Sequence, residues 1–351
     1  MKDATITLAD VAARLGVSRT TVSNAYNRPD QLSPKLREKV LAAADELGYP
    51  GPDPMARGLR RGRTGALGLV FDQPLSYVFN DPAASLFLQG MAAGLEEHGA
   101  ALAIIPRLPE GPERSAELVR SALVDGYMIF CTATDDPRLP AVRGRGLPFV
   151  LIEFPDDPTA AHVQIDDIAG AAAAARHVVD LGHRRIGIVT PYGGGVRSAP
   201  EAQAESRWRV QSGRLRGWRE GLEAGGVEWS SVAVSSNGGS REDDGARAAA
   251  ALLDRADRPT AILAISDVLA LGVLKAAAER GIEVPGDLSV VGFDDIPQAA
   301  AATPALTTVS QPHAEKGRAA VRLAASGADP AESVLLPCHL VVRASTAPVP
   351  R

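Results

Sequence analysis

Residues 7–27 read TLADVAARLGVSRTTVSNAYN, and this stretch decides what the amino-terminal part of the chain is. Leu8, Val11, Ala12 and Leu15 recur at helical spacing, Gly16 interrupts the pattern, and Val17, Val22 and Ala25 resume it. The pattern predicts two short helices around a tight turn. Thr7, followed three residues later by Asp10, has the form of a capping box, and Ser18 can accept a hydrogen bond from the backbone of Thr20 or Thr21. With Val22 and Ala25 turned inward, the second helix presents Arg19, Thr20, Ser23 and Asn24, side chains able to bond base edges or phosphates. A pair of ordinary surface helices would carry the same residue types for solubility, so the pattern alone does not prove DNA binding.

Working outward, Ser33-Pro34 opens a third helix with Leu36, Val40, Ala43 and Leu47 on one face and Gly48 at its end. Three short helices can bury a small common core. Residues 50–64, PGPDPMARGLRRGRT, read as a linker by Pro and Gly content, with one or two helical turns from Pro54 on and four arginines. Charge is divided in the same place. Residues 1–63 hold 11 Lys and Arg against 7 Asp and Glu, a balance of +4, and the remainder holds 26 against 35, a balance of −9. A basic head on an acidic body fits a small DNA-contacting module joined to a larger part with another task.

From Gly65 the chain alternates short apolar runs with longer amphipathic stretches, which predicts parallel sheets. Strands are expected at 66–71, 101–105, 126–130 and 149–152, with helices near residues 92 and 120. The alternation restarts near His162 and runs to Gly292, which predicts a second lobe. Asp72, Asp267 and Asp294 each come directly after an apolar run, where a carboxylate can meet a ligand beyond the carboxyl end of a strand or cap a helix.

Several separated blocks in order resemble the LacI/GalR family of bacterial transcription regulators: ITLADVAARLGVSRTTVSNAYN, LSPKLREKVLAAADELGYPGPDPMARGLRRGRTGALGLV, AILAISDVLALGVLKAAAERGIEVPGDLSVVGFDDIP and LVVRAST. The resemblance implies an all-α helix-turn-helix head at 1–49, a hinge helix at 50–64, and a two-lobed α/β core like the periplasmic binding proteins at 65–351. Its first lobe would take about 65–160 and 296–326, and its second about 161–292 and 328–346. It implies base-reading positions at Arg19, Thr20 and Asn24, backbone contacts from Thr7, Ser18, Thr21, Ser23 and Asn27, and a minor-groove wedge at Leu59 supported by Ala56 and Arg57. Gly58, beside that wedge, costs about 0.8–1 kcal/mol in a helix relative to Ala.

The same resemblance implies an effector pocket containing Asp72, Arg214, Trp218, Ser266, Asp267, Phe293 and Asp294. An arginine there suits a carboxylate, a phosphate or paired hydroxyls alike. Where many relatives carry an Asn-Pro and two aromatics, this chain has Asp81-Pro82-Ala83-Ala84, with Asp81 expected in the pocket; either the nearby Tyr77 and Phe79 replace that platform or the pocket holds a different ligand. The Gly/Arg-rich stretch at 191–209 is expected to be a mobile rim. The implied function is a repressor that binds operator DNA as a homodimer, under control of a small-molecule effector such as a sugar.

Other classes find less support. Two cysteines, Cys131 and Cys338, have no metal-ligand spacing, and no cofactor or metal is expected. The six histidines are scattered, no GxSxG or HExxH motif occurs, and acid pairs such as Asp166-Asp167 are merely adjacent, so no catalytic residues and no enzyme activity are expected. A solute receptor would suit the two-lobed body, but the start MKDATITLAD has no export signal, which predicts a cytoplasmic protein, on the nucleoid when operator-bound. No apolar run approaches the about 18 residues of a membrane span.

Overall fold

The structure is a computed structural model that describes residues 6–52, 62–109, 111–155 and 157–349. The expected wedge and its supports, Leu59, Ala56 and Arg57, lie outside the described residues. The chain divides into two compact units, one ending at Gly65 and the other beginning at Ala66.

In the first unit, helices α1 (Leu8–Leu15), α2 (Arg19–Asn27) and α3 (Pro34–Glu46) form where the periodicity places them. Thr7 donates from its backbone and its hydroxyl to Asp10 (2.8 and 2.7 Å), closing the start of α1. Gly16 ends that helix in the left-handed region (φ 64°), which a residue without Cβ adopts at no steric cost. Ser18 accepts from the backbone N–H of Thr21 (3.0 Å) at the start of α2, and Ser33 from that of Leu36 (3.3 Å) at the start of α3. Val11, Ala12, Val22, Ala25, Val40 and Ala44 make the buried core, with Leu8, Leu15, Tyr26 and Leu47 packed around it.

The second unit holds two parallel sheets. The first takes strands β1 (Ala66–Phe71), β2 (Ala101–Ile105), β3 (Gly126–Phe130), β4 (Phe149–Ile152), β5 (Ala161–Ile165) and β12 (Val334–Leu336) in the order β12-β5-β4-β3-β1-β2. The second takes β6 (Ile186–Thr190), β7 (Gly195–Ser198), β8 (Ala233–Ser236), β9 (Ala261–Ala264) and β10 (Ser289–Val291) in the order β10-β9-β6-β8-β7, with β7 antiparallel to β8. A two-stranded ribbon, β11 (Thr308–Ser310) with β13 (His339–Val341), lies beside them. Bridges from Thr307 to Val291 and from Ser310 to Asp294 tie β11 to the edge of the second sheet.

The structure departs from three sequence expectations. Residues 296–310, expected in the first lobe, belong to the second: Ile296, Ala299, Leu306 and Val309 pack into its core, and Thr307 and Ser310 bridge to its sheet edge. The run at 161–165 does not open the second lobe: it pairs with β4, and residues 334–336 pair with it in turn, so both belong to the first sheet. The misreading has a plain cause, since no helix lies between β4 and β5 and a break in strand-helix alternation looks like a lobe boundary. The stretch at 191–209 is no bare rim: it forms β7 and the short helix Ala199–Ala204, with Ala199 and Ala202 buried in the second lobe's core.

Close helix packing sets the positions that matter for the cleft. Helix Arg209–Ala224 carries glycines at 213, 217 and 221, with another at 225 just beyond its end, and a Cβ at Gly217 would collide with the Ile168 carbonyl and the Ala171 side chain of helix Asp167–Asp180. The two helices therefore touch backbone to side chain, which brings Arg214 against Asp167. In the first lobe, Gly317 of helix His313–Ser326 meets the backbone of helix Pro82–His98 at Phe87 and Met91 in the same way, and this seats Lys316. No helix among the described residues is long and apolar enough to cross a membrane.

Candidate functional site

In the first unit the polar residues of α2 differ in exposure. Ser18, Arg19 and Thr20 are exposed, and Thr21, Ser23, Asn24 and Asn27 are half-buried. Asn24 donates to the side chain of Gln31 (3.1 Å), and Asn27 donates to the carbonyl and hydroxyl oxygens of Ser23 (3.0 and 3.2 Å). Asn27 thus braces its own helix. Arg19 and Thr20 make no side-chain hydrogen bond to another described residue, so their full donor capacity faces outward.

In the second unit a cavity of about 160 Å3 lies between the sheets. Residues just past the carboxyl ends of the strands build its wall: Asp72 after β1, Cys131 after β3, Glu153 after β4, Tyr192 after β6, Ser266 after β9 and Asp294 after β10. This is the place where open α/β sheets bind ligands. Cys131, Glu153 and Asp294 hold positive φ (48°, 52° and 121°), a costly conformation for residues with a Cβ that collects at functional sites.

The charged groups of this region form a closed circuit. Glu153 pairs with Lys316 (3.1 Å), which donates to Gln311 (2.7 Å), which donates to Asp294 (2.6 Å). Asp294 faces Arg214 (3.4 Å), whose Nε donates to Asp167 (3.0 Å) and whose Nη1 donates to the Ile265 carbonyl. Arg209 closes the loop, on Asp167 at 2.8 Å and Glu153 at 3.5 Å. The Arg214 guanidinium lies over Phe293, 3.5 Å from the ring centre.

Burial sets the protonation. It pushes Asp294 up to about 6 against the opposing charge of Arg214. Asp167 also rises to about 6, by burial and the nearby Glu153, against Arg214 and Arg209. Burial opposes the charge on Arg214, but Asp294 and Asp167 outweigh it and its pKa is raised. His313, buried beside Lys316, falls to about 3 and is neutral; its Nε2 lies 2.9 Å from the Asp294 carbonyl, an acceptor, so that nitrogen carries the proton. Burial also lifts the Cys131 thiol to about 12.

Of the expected effector residues, Asp72, Tyr77, Asp81, Arg214, Ser266 and Asp294 line this cavity. Asp72 is gripped by Arg138 (3.2 Å) and Arg107 (3.4 Å), and Asp81 accepts from the Tyr77 hydroxyl (2.7 Å) and the Ala84 N–H (2.8 Å). Four expectations need correction. Phe79 is 63% exposed and outside the cavity. On helix Leu75–Asn80 it lies two positions, about 200°, round from Tyr77, so one ring faces in and the other out. Trp218, one turn beyond Arg214, is buried in the second lobe's core, and Phe293 is covered by Arg214.

The fourth is Asp267. It is fully buried, accepting from the Ile296 N–H (2.9 Å) and the Thr308 hydroxyl (2.5 Å), so it ties β11 to the second lobe behind the cavity. Ser266, not Asp267, caps helix Asp267–Glu279, accepting from the Leu269 N–H (3.3 Å). The sequence reading passed over Glu153, Tyr192, Trp208, Gln211, Gln311, His313 and Lys316, all of which line the cavity. The signal that picked Asp72, a charged residue directly after an apolar run, also marks Glu153 after FVLI. Gln311 and Lys316 carry no local signal. Tyr192 and Trp208 bring two further rings to the cavity wall, stacked on each other with centres 3.8 Å apart and nearly parallel.

Comparison with known proteins accounts for both units. A model described as bacterial regulatory proteins, lacI family, matches residues 7–51, and one for a periplasmic binding protein-like domain matches 175–346. An HTH-type transcriptional regulator of Mycolicibacterium smegmatis is 42% identical over 331 residues, covering 90% of this chain and 89% of that protein. The chain belongs to the lacI family. It is a DNA-binding transcriptional regulator, and the relatives that establish this are regulators rather than enzymes. Two solved lacI-family structures share its two-part organisation. A CelR–cellobiose complex is 31% identical with a TM-score of 0.71, over 97% of this chain and 99% of that one. The lac repressor dimer bound to operator and the anti-inducer ONPF is 26% identical with a TM-score of 0.79, over 98% and 100%.

Proposed function

We propose that this lacI-family protein is a repressor that reads its operator through α2, as a homodimer, and is controlled by an uncharged polyhydroxylated effector held in the cleft. A symmetric operator asks for two heads, and the neighbouring lac repressor structure is a dimer on operator DNA. Arg19 and Thr20 have the exposure and the donors to read base edges, with Asn24 beside them; Ser18, Thr21, Ser23 and Thr7 stand nearer the backbone. Leu59, with Ala56 and Arg57, is proposed as the wedge from its sequence position alone.

The observation that carries the effector class is the state of the cleft's charges. Asp72, Asp81, Glu153 and Asp294 line it against Arg214 and Lys316, four minus two, a balance of −2. Neither cation is spare: Arg214 is spent on Asp167, Asp294 and Ile265, and Lys316 on Glu153 and Gln311. A phosphate or carboxylate would enter against that balance, with neither lining cation free to meet it. Hydroxyls suit the wall better. Carboxylates accept from them, the buried side-chain oxygen of Gln211 has no hydrogen-bond partner among the described residues, and the ring faces that Tyr192 and Trp208 do not turn to each other suit the apolar side of a ring. A neighbour that binds cellobiose supports the same class.

The test is a melting-temperature screen of the full chain against neutral sugars and cyclic polyols, the matching sugar phosphates, and amines. At least one neutral polyol is expected to raise Tm and to change operator affinity, with its phosphate inert. A response confined to phosphates or amines would overturn the class.

A further inference from the structure

Three chambers of the second unit meet at one side chain. The inner cavity of about 160 Å3 is flanked by a chamber of about 460 Å3, lined by Asp72, Arg107, Asp135, Asp136, Arg138 and Arg207 among others, and by one of about 360 Å3 behind Tyr192 and Gln211. Trp208 lines all three, and no other described residue does.

Its seat is defined on both sides. The indole Nε1–H donates to Asp72 Oδ2 (3.3 Å), across from the second lobe to the end of β1, and the ring stacks on Tyr192 (3.8 Å between centres, 8° between planes). The first contact walls the inner cavity from the larger chamber, and the second walls it from the smaller. The residues on either side also cross to the first lobe, with unequal grip. Arg209 is held by Asp167 and Glu153, both buried, whereas Arg207 reaches Asp135 (3.0 Å) with the two side chains 67% and 64% exposed. The segment is thus anchored where the helix begins and lightly tied just before it, so Trp208 can leave its seat without breaking the buried circuit.

The sizes say what the wall does. About 160 Å3 is well under the roughly 300–1,000 Å3 of sites for larger ligands, room for one ring and not two. We propose that Trp208 is the size filter of the cleft: seated on Asp72 and Tyr192 it limits the inner chamber to a single-ring polyol, and swung out it joins that chamber to the one lined by Asp135, Asp136 and Arg107, where a second ring fits. The Asp72 carboxylate, relieved of the indole N–H, then accepts from a ligand hydroxyl. This rests on the polyol reading above, and the experiment separates the two.

The full chain is compared with Trp208→Ala and Trp208→Phe in two measurements. The first needs no ligand: alkylation by N-ethylmaleimide, followed by peptide mass spectrometry, reads access to Cys131, which lines the inner chamber, with Cys338, which lines none of the three, as internal standard. Trp208→Ala is expected to speed labelling of Cys131 at least tenfold with Cys338 unchanged, and Trp208→Phe to fall between. Equal Cys131 rates overturn the filter. If Trp208→Ala speeds both cysteines together, the decision passes to Trp208→Phe, where an unchanged Cys131 rate overturns it.

The second measurement is calorimetric binding of glucose, galactose and ribose as one-ring probes and cellobiose and maltose as two-ring probes. In Trp208→Ala the affinity for two rings relative to one is expected to rise at least tenfold, and an unchanged ratio overturns the filter. Absence of binding by all five in every variant would count against the polyol reading, while the labelling result still decides whether Trp208 closes the chamber.

Discussion

The α2 face and the cleft are both polar surfaces, one presented by a helix and the other by strand ends and the helices beside them, and they are built on opposite terms. On α2 the side chains that define the face either point outward or bond within a few residues, as Ser18 does with Thr21 and Asn27 with Ser23, at separations of 3 and 4. In the cleft the charges are buried and satisfy one another across the chain: Arg214 with Asp167 at a separation of 47, Lys316 with Glu153 at 163. In a surface of the first kind the outward side chains, Arg19 and Thr20, add little to their own unit's stability and can be altered freely, while the cap Ser18 and the brace Asn27 serve only their own helix. A network of the second kind is at once the binding wall and a tie between distant segments, so changing its function also changes its fold.

The sharpest way to break that contrast is Arg214→Ala. Removing this guanidinium leaves Asp167 and Asp294 buried beside each other's field, and losing one partner of a buried pair costs about 3–5 kcal/mol. Urea unfolding of the full chain is expected to show a loss of that order, with the effector response abolished; wild-type stability would mean that the circuit is not structural. Next in size is Gly217→Ala, which overpacks the contact with Ile168 and Ala171 and is expected to cost about 1–3 kcal/mol in the same measurement. Loss of effector affinity together with that stability would show that the helix contact positions Arg214.

Arg19→Ala belongs to the other side of the comparison. It is expected to weaken operator binding by about 1–3 kcal/mol and to relax preference at one base, while unfolding stability changes by less than about 0.5 kcal/mol. A uniform loss on every DNA sequence would make it a phosphate contact.

The smallest effect is a pH slope. His313 is held at about 3 by burial and Lys316, so the folded protein keeps it neutral while the unfolded chain takes up a proton below about 6.5. Its contribution is therefore present above pH 6.5 and is lost as pH falls toward 3, at about 1.4 kcal/mol per unit. The raised Asp167 and Asp294 act in the opposite sense, favouring the folded state as pH falls through about 6. Comparing wild type with His313→Gln cancels their part. The variant is expected to lose less stability between about pH 6.5 and 4, and parallel curves would place the imidazole in contact with water.

Legibility in the sequence divides along the same line. The three head helices, their caps at Thr7, Ser18 and Ser33, and the exposed Arg19 and Thr20 were legible because each depends on neighbours within a turn or two. The strands of the second unit were legible as apolar runs, and Asp72 and Asp294 as the charged residues that end them. Their grouping was not: β5 reads as the start of a new lobe until its register with β4 shows which sheet it completes.

Tertiary structure alone decided the cleft's electrostatics. Nothing in local spacing says that Lys316 spends its charge on Glu153, that Asp267 is a brace while Ser266 faces the cavity, or that Tyr77 faces in where Phe79 faces out. The sequence by itself determined that a basic helix-turn-helix precedes an acidic α/β body, because helix periodicity, capping and net charge are sums over near neighbours. Which of the body's charges remain available to a ligand depends on pairs formed between distant parts of the chain, and those pairs exist only once the sheets and helices have packed.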